Sequence, residues 1–158
     1  VREMFKLVPE IDFNIGYRYY LYNIENYTKA LLATLKSIKS KLPILRIMLE
    51  TQEYEGLRTI TQTLRKMMNT VGGEKISELS YKLETALLNE DDNLNDRILE
   101  YLLTLEDLSD RMEELVKKLG VGLAKSNNDQ KSSKFNLNYA RVREFSQFTE
   151  NMLKENSM

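Results

Sequence analysis

Residues 53–73 read EYEGLRTITQTLRKMMNTVGG. Leu57, Ile60, Leu64, Met67, Met68 and Val71 recur at steps of three and four, which gathers them on one side of an α-helix. At about 100° per residue they fill a stripe roughly 100° wide. Gly72-Gly73 follows the last of them, and glycine readily adopts the left-handed conformation that ends a helix. The stretch predicts an amphipathic helix over 53–71 with Gln62 nearly opposite the apolar stripe, in solvent at mid-helix. Arg58, Arg65, Lys66 and Asn69 fall on the same outer half, so that face is basic.

The neighbouring segments repeat the pattern. From about Asn23 to Thr51 the apolar stripe is Ile24, Tyr27, Leu31, Leu35, Ile38, Leu42, Leu45 and Leu49. Pro43 lies inside it, has no amide to give the Lys39 carbonyl, and predicts a kink. A third helix is expected over 74–89, with Ile76, Leu79, Leu83, Ala86 and Leu87 inward, and a polar turn follows at 89–93. A fourth, over 94–119, carries Leu94, Ile98, Tyr101, Leu105, Leu108, Met112, Leu115 and Leu119. Such stripes also suit a coiled-coil seam, but the short connections make consecutive helices pack side by side. The expected architecture is all-α: an antiparallel four-helix bundle over 1–119. Within it, 1–22 caps one end, with the hydroxyls of Tyr17, Tyr19, Tyr20 and Tyr22 toward water. Residues 120–136 read as a polar linker. Residues 137–158 carry one more amphipathic helix, about 138–155, with Val142, Phe145, Phe148 and Met152 on one face. That face needs a cover, either its own bundle or a second copy in a homodimer.

The chain has 158 residues, no cysteine and no histidine. Thiol nucleophiles, disulfides, thiolate or imidazole metal ligands and phosphohistidine chemistry are therefore excluded. Asp91-Asp92-Asn93 lacks the glycine and distal glutamate of a calcium loop, so no metal or cofactor is expected. Glu78, Lys82 and Glu84 fall on or beside the outer face of the third helix with nothing to suggest a cleft between the carboxylates, and the chain is not expected to be an enzyme. With 23 basic and 24 acidic residues spread along it, nothing points to nucleic acid or an anionic membrane. No apolar run approaches the ~18 residues of a membrane span and no signal-peptide pattern opens the chain, so the expected location is the cytoplasm. The opening Val1 suggests a segment of a larger protein.

The run from Gln62 to Gly73 resembles the signature of histidine-containing phosphotransfer domains, roughly H-x-L-K-G-x-x-x-x-[LIV]-G. Leu64, Val71 and Gly72 match in register, and Arg65 replaces the lysine. Gln62 stands where the histidine belongs and Lys66 where the family has glycine. Pro9-Glu10-Ile11-Asp12, Gly16 and Tyr27 resemble the family's entry segment. Pro43 falls where the first long helix often carries proline, and Glu74 to Glu84 resembles the helix after the signature. The likeness covers about residues 9–118.

The resemblance implies a helical bundle of a bacterial two-component pathway, docking a response-regulator receiver domain or a sensor kinase on the face around position 62. It does not carry over the chemistry. A carboxamide nitrogen has its lone pair delocalised into the carbonyl and cannot attack a phosphoaspartate. The expectation is a signalling domain that binds without carrying phosphate, as adaptor, sequestering agent or inhibitor. Its expected partner-binding residues are Arg58, Gln62, Arg65, Lys66 and Asn69. Lys66, one turn after Gln62, either enters an acidic pocket as a decoy cation or blocks docking. The alternative is a structural or dimerisation module in which this face is vestigial.

Overall fold

A computed structural model describes residues 1–129, with side chains to Gly120. Among the described residues the chain is all-helical, without a strand. A 3-10 turn spans Arg2–Leu7, followed by α1 (Phe13–Tyr19), α2 (Ile24–Thr51), α3 (Tyr54–Val71), α4 (Glu74–Leu88) and α5 (Leu94–Asp129). The starts and stops have local causes. Asp12 accepts the Ile15 amide at 3.3 Å at the head of α1, and Asn23 accepts the Asn26 amide at 2.9 Å at the head of α2. Pro43 sits exposed inside α2, and the helix continues on both sides of it.

Gly72 ends α3 with φ +90°, a left-handed value that a side chain rarely tolerates. Its carbonyl accepts the Asp12 amide at 2.9 Å, and a Cβ there would overlap the Asp12 carbonyl oxygen. The N-terminal segment is thereby tied to the α3–α4 turn.

α2 packs against both α3 and α5, α3 against α4, and α4 against α5. They share one core, whose fully buried members include Leu31, Leu35 and Ile38 of α2, Leu57 and Leu64 of α3, and Leu105, Leu108 and Met112 of α5. Truncating such a leucine to alanine costs about 2–5 kcal/mol. The first 22 residues do more than cap. Phe5, Val8 and Ile11 belong to the core, the 3-10 turn packs on α5, and α1 packs on α3 and α2. Of the four N-terminal tyrosines, Tyr19 and Tyr22 are exposed while Tyr17 and Tyr20 are half-buried.

Two differences from the sequence expectation concern α5 and α3. Helix α5 runs past Leu119 to Asp129, so 120–129 of the expected linker is helical. Small and polar residues there lower helix propensity without breaking the helix as proline would. The rest of the linker and the helix expected at 138–155, with its possible homodimer, lie outside the described residues. In α3 the fully buried positions are Leu57, Thr61, Leu64, Met68 and Val71, while Ile60 and Met67 are only half-buried. The buried set centres on the direction of Leu57, about 30° from the centre of the apolar set. Thr61 can enter the core because its hydroxyl donates to the Arg58 carbonyl at 2.8 Å.

Candidate functional site

The roll of α3 turns Thr61, Gln62 and Arg65 toward α4. Gln62 is consequently half-buried, not fully in solvent as expected, and its Nε2 donates to Glu84 Oε1 at 2.7 Å. The other oxygen of the same carboxylate accepts Arg65 Nε at 3.3 Å. The Arg65 guanidinium lies over the Tyr81 ring, 5.7 Å from its centroid. One carboxylate of α4 thus holds two side chains of α3.

The remaining expected residues stand apart from this cluster. Arg58 is half-buried and reaches Glu55 Oε2, one turn back on its own helix, at 3.4 Å. Lys66 and Asn69 are exposed, and Lys66 has no ion-pair partner among the described residues. Gln62, Lys66 and Asn69 are spaced four and three apart, so they follow one another along the same side of α3. The structure therefore brings Gln62 and Arg65 together on Glu84 and leaves Arg58, Lys66 and Asn69 as separate polar points on the outer side.

Glu84 and Tyr81 were not among the expected site residues, though a signal for them exists. With a two-glycine turn joining α3 and α4, residues at matched distances from the turn lie level with one another. Gln62 and Glu84 are such a pair, and so are Arg65 and Tyr81.

The C-terminal end of α3 is held from behind. Tyr27 is fully buried, and its hydroxyl donates to the Val71 carbonyl at 2.7 Å. Burial pushes its phenol pKa well above the ordinary value, with the Asp12 charge adding to the effect. Gly16 lies against the same ring, with no space for a Cβ. Tyr20 stacks on Tyr27 at 5.9 Å between centroids. Farther along, Arg111 of α5 binds the Glu10 carboxylate through two nitrogens and also pairs with Asp107 at 2.7 Å. The Arg111 hydrogen bonds hold Glu10 below the usual carboxylate range, against the opposing effect of burial. Within the core, Ser80 and Tyr101 share a hydroxyl hydrogen bond of 2.7 Å, and burial pushes Tyr101 up to about 12.

Among the described residues no group of three or more acidic side chains is arranged to hold a metal ion, and no helix is long and apolar enough to cross a membrane. Comparison of the chain with protein-family models, with curated proteins and with solved structures yields no match.

Proposed function

We propose that this chain is a non-catalytic, phosphotransfer-like signalling domain, with α2 to α5 as its antiparallel four-helix bundle. It binds a response-regulator receiver domain through the outer side of α3 and α4 and carries no phosphate. Gln62 carries the reading. It is a partly exposed carboxamide at the middle of α3, held on Glu84, where the resembled family displays a nucleophilic imidazole. The left-handed Gly72 supports it, because the glycine that ends the family signature is needed here for backbone reasons. The exposed Lys66 and Asn69 give the same side of α3 polar groups that a partner can engage. A cationic face speeds encounter with an acidic partner. The domain acts as adaptor, sequestering agent or inhibitor in a two-component pathway.

The test is calorimetric titration of the full chain with the receiver domains of its source organism. At least one should bind, Lys66→Glu should weaken that binding, and phosphorylated receiver should leave no label on the chain. The paired change Gln62→His with Lys66→Gly should then accept acid-labile phosphate. Binding by no receiver sinks the proposal, and labelling of the unaltered chain sinks its non-catalytic part.

A second reading, a dimerisation module, draws on Ile44 and Ile47 of α2 and Leu99 and Leu103 of α5. These large apolar side chains are exposed on two helices that pack together. Sedimentation of the full chain with and without Ile47→Glu and Leu103→Glu decides it. A dimer lost on substitution favours this reading, and a monomer throughout excludes it.

A further inference from the structure

The three cations on the outer side of α3 differ in how freely they can meet a partner. Arg65 is engaged twice, by Glu84 Oε2 at 3.3 Å and by the ring of Tyr81 at 5.7 Å. The Glu84 side chain is only 14% exposed, so solvent screens its contacts little. Arg58 pairs with Glu55, whose side chain is 89% exposed, a kind of surface pair that contributes little and breaks readily. Lys66 is exposed and has no ion-pair partner among the described residues. The Gln62 amide, like Arg65, is occupied by Glu84.

We infer that Glu84 is an internal competitor on this face: it withholds Arg65 and Gln62 from a carboxylate-bearing protein partner and leaves Lys66 as the anchoring cation. The inference rests on reading the face as a docking surface. An incoming carboxylate that sought Arg65 would have to displace one already held on the neighbouring helix, at high effective concentration. It would also leave Glu84 unpaired in a largely buried position, which is unfavourable. Lys66 demands neither. The partner that fits presents clustered carboxylates, the first to Lys66 and a second within reach of the loosely paired Arg58. Lys66 thereby acts as the decoy cation and does not block docking. A weakly acidic surface gains only the Lys66 contact, so Glu84 sets how acidic a partner must be.

Poly-L-glutamate, titrated into the full chain at low salt, probes this without any receiver domain. The readouts are affinity and the nitrogen-proton NMR signals of the Arg65 guanidinium, the Gln62 amide and the backbone at Lys66 and Asn69. In the unaltered chain the signals at Lys66 and Asn69 should move while Arg65 Nε–H stays. Lys66→Ala should weaken binding about threefold to fivefold, as expected for loss of one exposed charge contact. Glu84→Gln keeps the shape, removes the charge, and should tighten binding by about the same factor, with Arg65 Nε–H now moving. Glu84→Asp, whose shorter reach loosens both contacts, should act in the same direction should the glutamine variant fold poorly. Arg65 moving together with Lys66 in the unaltered chain, or no gain from either Glu84 variant, overturns the inference. Failure to bind any receiver is a separate result, which removes the proposed function without altering these titrations.

Discussion

Tyr27→Phe removes a single hydroxyl from a fully enclosed place. That hydroxyl donates at 2.7 Å to the carbonyl of Val71, in the last turn of α3, where carbonyls have no helical amide to meet them. Phenylalanine preserves the ring and its stacking on Phe5, whose centroid is 5.7 Å away. The change therefore isolates one buried hydrogen bond and leaves an acceptor unsatisfied. Such a loss costs about 1–3 kcal/mol. In a domain of this size each kcal/mol lowers Tm by about 3–5 °C, so calorimetry should record a fall of about 3–15 °C. Two other tyrosines calibrate the result. Tyr101→Phe leaves Ser80 free to turn toward a carbonyl of its own helix, and its cost should be smaller. Tyr20→Phe gives up only a 3.5 Å contact to Thr70 on a half-buried ring and should stay within about 0.5 kcal/mol. The pH dependence adds a second sign. Burial raises the Tyr27 pKa in the folded state, so the unfolded chain ionises first, near pH 10. The unaltered protein should thus lose stability above about pH 10 that the phenylalanine variant retains, and the gap between them should narrow there. A Tyr27→Phe cost below that of Tyr20→Phe, or a gap that widens with alkali, would refute the assignment of this bond.

Gly72→Ala should destabilise by more than about 2 kcal/mol, because a left-handed φ and a Cβ overlapping the Asp12 carbonyl act together; urea unfolding measures it, and a neutral result contradicts the turn geometry. Gly16→Ala should cost a similar amount by pushing on the Tyr27 ring, and the loss should shrink markedly when Tyr27 is already alanine, which a double-mutant cycle reads directly. For Glu10, the folded pKa is depressed by the Arg111 hydrogen bonds. Its stabilisation is present above the unfolded value of about 4.3 and disappears as pH falls through the folded one. Glu10→Gln should therefore be less stable than the unaltered chain at pH 7, and the difference should shrink as the pH is lowered below that unfolded value, as followed by circular dichroism melts.

The helices themselves could be read from residue spacing because one physical rule governs both. Leu31, Leu35 and Ile38, or Leu105, Leu108 and Met112, are apolar where a 3.6-residue period faces a core, and all of them are buried. Gly72 was legible for an equally local reason, since its positive φ belongs to glycine before any tertiary contact forms. What spacing does not encode is rotation about the helix axis. Thr61 is polar by type yet satisfies its hydroxyl on its own helix, so it enters the core and carries Gln62 toward α4. Apolar periodicity centres the stripe elsewhere, and that error of about 30° separates a solvent-facing Gln62 from one held on Glu84. The N-terminal segment escaped for a different reason. Phe5, Val8 and Ile11 follow no extended period, and the segment that carries them is held by contacts distant in sequence: the 3-10 turn packs on α5, and Glu10 binds Arg111, over a hundred residues away. The candidate site divides along the same line. Lys66 and Asn69 are exposed because of their angle on one helix, so sequence sufficed. The Glu84 contact needs two helices at a fixed level and rotation: the buried Thr61 sets the rotation, and the Gly72-Gly73 turn, with the Asp12 amide bound to it, sets the level. A change that loosens that turn should therefore register at Gln62 and Arg65, ten and seven residues away along α3, before it disturbs Lys66. In Gly72→Ala, the Arg65 Nε–H signal should lose its protection from solvent exchange while the signals at Lys66 hold. The reverse order would mean that the outer face of α3 is set by α3 alone.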